Sequence, residues 1–158
     1  MKSLAMLISL SLAFLMCALA GCRPSGANYR VDPPGGFAVY TGDTDSFRSI
    51  SSDGVRIRIR RVDNNPRGDA AMWGQALATY LTDRGYHGIS EEKIVSRDGR
   101  EGVFAEYAYW FNAEEYRYAI AIFTGPDHLY IIETGGTVEG FARKRDGILD
   151  SLRTFRAE

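Results

Sequence analysis

Residues 102–137, GVFAEYAYWFNAEEYRYAIAIFTGPDHLYIIETGGT, decide the fold of this chain. Apolar and aromatic runs alternate here with two short polar breaks, at residues 112–115 and 125–128. Runs of this length, bounded by Asn, Gly, Pro and Asp, predict three consecutive β-strands joined by hairpin turns. Apolar side chains fall on both faces of these strands. We therefore expect other layers to cover the sheet on both sides, at least in part.

The length of the first loop sets the expected pairing of these strands. A four-residue loop at 112–115 would place Phe111 opposite Tyr116. On the other face, Trp110 would then meet Arg117, where a cation–π contact could form.

A second hairpin is predicted upstream, after a short strand GFAVY that starts at Gly36. Residues 47–63, FRSISSDGVRIRIRRVD, contain Asp53-Gly54, which favours a tight turn between two strands. In the second arm aliphatic residues alternate with arginines. A period of two directs Val55, Ile57 and Ile59 to the core and Arg56, Arg58 and Arg60 to the other face.

Two helices complete the pattern. Asp69 can cap a helix over residues 70–84, because Trp73, Leu77, Tyr80 and Leu81 repeat on one helical face. Gly85 is a plausible end for that helix. Thr137 can cap a last helix, whose buried side is supplied by Phe141, Ile148, Leu149 and Leu152.

This order of elements predicts an α+β fold, an antiparallel β-sheet with helices packed on it. The chain also resembles the PsbP/DcrB-like α/β/α sandwich. The resemblance lies in the order of four segments over about 120 residues: GFAVY, VRIRIRRVD, LYIIETGG and the ending ILDSLRTFR. That family includes photosystem extrinsic subunits and bacterial envelope lipoproteins. Its shared features are structural, so the resemblance implies no catalytic residue.

The amino-terminal end has the layout of a secretory signal. Lys2 precedes the apolar run 4–20, and small residues close it. Leu19-Ala20-Gly21-Cys22 resembles a bacterial lipobox. That resemblance implies attachment of diacylglycerol to the Cys22 sulfur and cleavage before this residue. A disulfide between Cys17 and Cys22 is the alternative, and the place of Cys17 inside the apolar run disfavours it.

These features divide the chain into a cleaved lipoprotein signal peptide of residues 1–21, a lipidated cysteine with a flexible tether over 22–34, and a single α+β domain over 35–158. Cleavage removes one basic residue, Lys2, so the mature chain would have 18 of the 19 Lys and Arg residues and all 20 Asp and Glu residues. That balance does not indicate nucleic-acid binding. The expected location is the bacterial cell envelope. By resemblance to enteric lipoproteins, Arg23 after the cysteine favours the outer membrane, facing the periplasm, in a Gram-negative host.

The best candidate binding residues are Arg56, Arg58 and Arg60. Three guanidinium groups spaced about 6.6–7 Å apart along a strand could meet phosphates or carboxylates. An anionic envelope component or an envelope protein would be a suitable partner, and the lipid anchor makes the membrane another. The competing interpretation is a solvated edge, or ion pairs with the many acids of the chain.

Catalytic and metal sites are weakly indicated. Glu106 and Glu133 lie inside strong strands, but the expected register puts them on opposite faces of the sheet. His87 and His128 fall in loops, and the set of zinc ligands is incomplete. ETGGT, residues 133–137, could bind an anion before a helix, although a turn with a Thr cap is favoured. We expect no catalytic residue, no metal and no cofactor.

The sequence therefore predicts a lipid-anchored, non-enzymatic envelope protein that binds or supports an unknown partner. The alternative is an envelope hydrolase that uses carboxylates or a histidine.

Overall fold

The computed structural model describes residues 28–42 and 46–157. Within these ranges nine strands and two helices follow in order: β1 Tyr29–Arg30, β2 Phe37–Val39, β3 Phe47–Ser51, β4 Arg56–Asp63, α1 Ala70–Thr82, β5 His87–Val95, β6 Glu101–Phe111, β7 Glu114–Thr124, β8 His128–Thr137, α2 Val138–Arg153 and β9 Arg156–Ala157. No helix among the described residues has the length and apolar character needed to cross a membrane.

Seven of the strands form one antiparallel sheet, in the order β2-β3-β4-β8-β7-β6-β5. Helix α2 covers one face of the sheet and α1 lies on the other. The predicted α+β class, with helices packed on an antiparallel sheet, is confirmed.

The α2 face of the sheet carries the main hydrophobic core. Val55, Ile57 and Ile59 point to it from the strand β4 and the turn before it, as the alternation predicted. From α2, Phe141, Ile148, Leu149 and Leu152 meet them. Thr137 caps this helix by accepting a hydrogen bond from the Gly140 N–H at 3.2 Å, which confirms the cap interpretation.

The α1 face is covered only in part. Asp69 caps α1 through the Met72 N–H, and Leu81 packs on a small cluster with Ala105, Tyr107 and Ile120. Helix α1 contacts β5, β6 and β7. The β4 and β8 side of this face is therefore left partly open.

The hairpin between β6 and β7 corrects the expected register. Its loop has two residues, Asn112 and Ala113, with φ of 49° and 64°, the left-handed values that a tight turn of type I′ requires. Tyr109 consequently pairs with Tyr116, and Trp110 with Glu115.

The expected Trp110–Arg117 contact is thus wrong. Arg117 forms an ion pair with Glu115, and the Trp110 ring lies edge-on to His87 at 5.3 Å. The register moved by two residues, which is one full period of a strand. Every side chain consequently stayed on its predicted face.

The tether expected over residues 22–34 is too long at its carboxyl end. Tyr29 and Arg30 pair with β9, and the Tyr29 ring, only 5% exposed, stacks on Phe155. The Ser151 hydroxyl donates a hydrogen bond to the carbonyl of Asp32. One buried ring, a short strand pair and hydrogen bonds to Asp32 hold this segment. Hydrophobic periodicity does not reveal such contacts, because they involve single residues.

Candidate functional site

The open part of the α1 face forms a depression of about 510 Å³. We call it the arginine–tyrosine depression and define it by the side chains of Arg56, Arg58, Tyr109, Tyr116, Tyr118 and Glu133. It lies near the end of the sheet where β4 begins, β8 ends and the β6–β7 hairpin turns.

The structure brings two of the three predicted arginines into this depression. Arg56 and Arg58 are exposed, and neither guanidinium has an ion pair or hydrogen bond to any residue in 28–42 or 46–157. Arg60 lies one step further along β4 and donates from Nε to Glu133 Oε2 at 2.9 Å. The three arginines therefore comprise two available cations, Arg56 and Arg58, and one, Arg60, that already has a partner.

Both carboxylate oxygens of Glu133 have hydrogen-bond partners. Its second oxygen accepts a hydrogen bond from the Tyr118 hydroxyl at 3.0 Å. Burial, followed by the charge of Glu133 and this hydrogen bond, raises the pKa of Tyr118 far above its ordinary value. Tyr118 thus stays protonated and acts as a donor, and both oxygens of the Glu133 carboxylate have protein partners.

Tyrosine rings make up one wall of the depression. The rings of Tyr109 and Tyr116 stack across the β6–β7 pair with centroids 5.4 Å apart, and Tyr86 lies 5.1 Å from Tyr109. Burial is the main cause that raises the pKa of Tyr86, with smaller contributions from Tyr109 and Glu133. Neutral rings of this kind offer a flat apolar face beside the two arginines.

Gly135 keeps the floor of the depression open. It pairs with Arg56 on one side and with Tyr118 on the other, inside strand β8. A Cβ at this position would lie 3.0 Å from the carbonyl oxygen of Arg117. The glycines of ETGGT therefore belong to a strand, where a side chain would meet the neighbouring strand, and not to the expected turn.

The other acids and histidines named from the sequence do not join this site. Glu106 lies on the α2 face, where Arg145 Nε donates to it at 2.7 Å. It cannot flank one bond together with Glu133, which lies on the opposite face, as expected. His87 is exposed beside Trp110, and His128 Nε2 lies 3.9 Å from Asp63.

Metal-binding groups can be judged for the described part of the chain. In residues 28–42 and 46–157 no three His, Cys, Asp or Glu side chains come together in a way that could hold an ion. Cys22, the predicted lipidation site, and the lipobox lie outside the described residues.

An apolar cavity of about 310 Å³ lies on the same face of the sheet, between α1 and strands β4 and β8. Its apolar lining comes from both layers: Trp73, Ala76, Leu77 and Tyr80 of α1, and Val62, Ile122, Leu129 and Ile131 of the sheet. The sequence had marked Trp73, Leu77 and Tyr80 as a core-facing helical stripe. The cavity exists because α1 sits over β5 to β7 and does not reach β4.

The tyrosines were missed as site residues. Their alternation, at 107 and 109 on β6 and at 116 and 118 on β7, was a usable signal. It was interpreted only as cross-strand stabilisation, because the sequence does not show where a covering helix ends.

Comparison with known proteins gives structural neighbours only. No family model matches the sequence, and no curated protein matches it. LpqN of Mycobacterium tuberculosis, which is involved in cell envelope biogenesis, superposes with a TM-score of 0.62 at 11% identity, over 84% of each chain.

Two further solved structures share the architecture. Protein PA94 of Pseudomonas aeruginosa, whose function is unknown, gives a TM-score of 0.59 at 10% identity, over 78% of this chain and 99% of that one. CyanoP, the PsbP protein of Synechocystis, gives 0.55 at 12% identity, over 89% and 99%. At these identities the likeness shows the fold alone, and it supports a PsbP-like fold.

Proposed function

We propose that this chain is a lipid-anchored protein of the bacterial cell envelope. It binds an anionic ligand or partner through the arginine–tyrosine depression and carries out no chemical step itself. The observation that carries this proposal is the pair Arg56 and Arg58. Two exposed guanidinium groups, with no ion pair or hydrogen bond to the described residues, share one concavity with a wall of tyrosine rings.

The chemistry of this surface suits recognition of an anion. Guanidinium groups bind carboxylates and phosphates through paired hydrogen bonds, and aromatic rings add apolar contact. The two acids of the lining, Asp53 and Glu133, already form ion pairs with cations outside it: Asp53 with Arg143 and Lys144, and Glu133 with Arg60. Arg56 and Arg58 are therefore the lining charges left to meet an anion.

The place where the described chain begins also supports the proposal. Tyr29, the second described residue, pairs with Ala157, whose N–H donates to Asp98 in the turn between β5 and β6. The depression lies toward the other end of β6, which is about 33 Å long at roughly 3.3 Å per residue. A chain tethered through Cys22 would present the depression away from its attachment point.

The envelope location rests on the lipobox resemblance and gains loose support from LpqN, an envelope biogenesis protein of the same fold. Mass spectrometry of the protein from its native membrane tests the anchor. We expect an amino-terminal peptide that begins at Cys22 and carries diacylglycerol, and a Cys22→Ser variant without that mass. An unmodified cysteine in the native protein would disprove the anchor.

Titration with small anions tests the depression. We expect inorganic phosphate, acetate or glucuronate to bind the chain of residues 22–158, which contains every described element, with an affinity that falls as salt rises. The double variant Arg56→Gln/Arg58→Gln should lose at least tenfold in affinity. Arg61→Gln is the matched control, because Arg61 is an exposed residue of the same strand whose side chain points to the opposite face. Equal binding by both variants would refute the proposal.

A further inference from the structure

Strand β4 joins the arginine–tyrosine depression to the apolar cavity. Arg56, Arg58, Arg60 and Val62 alternate along it, so all four side chains lie on the α1 face of the sheet. Val62 lines the apolar cavity, while Arg56 and Arg58 line the depression. The α1 face of β4 thus changes from apolar to cationic over about 13 Å between Val62 and Arg58.

The boundary between the apolar cavity and the depression lies at Arg60. Arg60 pairs in register with Ile131, which lines the cavity, and the next pair along is Arg58 with Glu133. The bond from Arg60 to Glu133 therefore lies at the edge of the apolar part. Arg58 is the first guanidinium beyond this edge that has no partner among the described residues.

Asp63 lies at the far end of the cavity, next to Val62. Its side chain points to the opposite face, like that of Arg61, and lies 3.9 Å from His128 Nε2. Arg56 and Arg58, which have no ion pair among the described residues, lie at the other end of this surface, so an anionic head would be attracted there. Apart from Asp63, aliphatic and aromatic side chains line the cavity, and its volume lies at the lower limit of typical ligand pockets.

We propose that the cavity and the depression together bind one anionic amphiphile with a single acyl chain. The chain lies in the cavity between α1 and strands β4 and β8, and the carboxylate or phosphate head group binds Arg58. This inference rests on the proposed function and makes it specific, because it assigns the ligand an apolar tail as well as a charge. The guanidinium groups at one end of the surface set the orientation.

Tryptophan fluorescence gives a direct test. The chain has two tryptophans, and Trp110 is exposed on the β6–β7 hairpin, so Trp110→Phe leaves Trp73 in the cavity as the only reporter. Residues 22–158 with this substitution are titrated with dodecanoate below its micellar concentration, and separately with dodecanol and butyrate. We expect dodecanoate to bind at least tenfold more tightly than either. Across a series of carboxylates, affinity should rise by up to about fourfold per methylene that enters the cavity.

Paired variants test the contributions of the acyl chain and of the head group to binding separately. Ala76→Phe places a ring in the cavity from an exposed helical position, and Ala71→Phe adds the same ring at an exposed position outside it. The first should weaken dodecanoate binding at least tenfold and leave butyrate unchanged, while the second should change neither. Arg58→Gln should remove the advantage of dodecanoate over dodecanol, and Arg61→Gln should keep it.

The outcomes distinguish this inference from the proposed function. If small anions bind through Arg56 and Arg58 but chain length has no effect, the amphiphile is refuted and the anion site stands. Binding of dodecanol as tight as that of dodecanoate would also refute the amphiphile, because the head would contribute nothing. If neither small anions nor dodecanoate bind, both ideas fail. The chain-length series uses the unaltered cavity, so it decides the matter even if Ala76→Phe does not fold.

Discussion

The two faces of this sheet are made from the same strands and do different work. The α2 face is sealed: Phe104 and Phe123 are almost fully buried beneath α2 and Phe155. The α1 face is half covered, and its open half carries Arg56 and Arg58, which form no ion pair with any part of the chain that the structure describes. The difference teaches that stability and recognition are separated across the thickness of one sheet. Substitutions on the α2 face should therefore change the free energy of unfolding, and substitutions in the open half of the α1 face should change ligand binding.

The largest expected effect on stability belongs to the sealed face. Phe123→Ala removes a fully buried ring that stacks on Phe155 with centroids 4.9 Å apart. We expect a loss of about 3–5 kcal/mol in the free energy of unfolding, because the cavity cannot collapse fully. Urea denaturation followed by circular dichroism measures it. Tyr109→Ala in the depression is the control and should cost less than half as much.

A smaller effect is expected from the ion pair that ties α2 to the sheet. Arg145 donates to Glu106 at 2.7 Å and to Glu92 at 2.9 Å, and the Glu106 hydrogen bond is the main cause that raises the pKa of Arg145. Glu106→Gln should cost about 2 kcal/mol, since the carboxylate charge that strengthens the hydrogen bond from Arg145 is lost. Glu115→Gln, at an exposed pair, should change the free energy of unfolding by less than about 0.5 kcal/mol. Equal losses of stability in the two variants would contradict the role given to the Arg145–Glu106 ion pair.

The Asp98 carboxylate should give a pH-dependent effect that is smaller still. Burial alone would raise the pKa of Asp98, but hydrogen bonds from Ser96, Arg100 and the Ala157 N–H outweigh burial and lower it. A lowered folded-state pKa contributes stability above the unfolded-state pKa, and this stability is lost as the pH falls through the folded-state value. Asp98→Asn should therefore destabilise the protein at neutral pH, and the gap to the unaltered protein should narrow in acid. Thermal unfolding across that pH range measures the gap; a gap that widens in acid would contradict this role of Asp98.

The smallest effect on stability is expected where the effect on binding is largest. Arg56→Gln/Arg58→Gln removes two exposed charges that contact no described protein partner, so the free energy of unfolding should change by less than about 0.5 kcal/mol. The same protein sample should fail to bind small anions. A large loss of stability would show that these arginines support the fold, and the contrast between the faces would then be wrong.

Local patterns predicted much of this fold correctly. The alternation of Ile57 and Ile59 with the arginines fixed which side of β4 is buried, because a strand has a period of two. The caps at Asp69 and Thr137 were found for a similar reason, since one side-chain oxygen and the next helical N–H groups lie within a few residues. The loop at Asn112 was placed correctly but given the wrong length.

The composition of the site was harder to predict. Arg56 and Arg58 were named, but their separation from Arg60 depends on Glu133, which lies 73 residues away from Arg60 in the chain. The tyrosine wall depends on where α1 stops covering the sheet. The burial of the Tyr29 ring depends on its stacking against Phe155, at the far end of the chain. Each of these facts is a contact between distant segments, which no local period encodes.

By itself, the sequence determined the class of fold, the two helix caps and the buried side of β4, because each follows from spacing within a single element or from the order of elements. Only the tertiary structure decided that α1 sits off-centre, that two arginines have no ion pair within residues 28–42 and 46–157, and that an apolar cavity lies on the same face of the sheet. The physical reason is that a helix covers only the strands it packs against. The uncovered part of a sheet face is thus set by how the layers are placed, and not by any one segment.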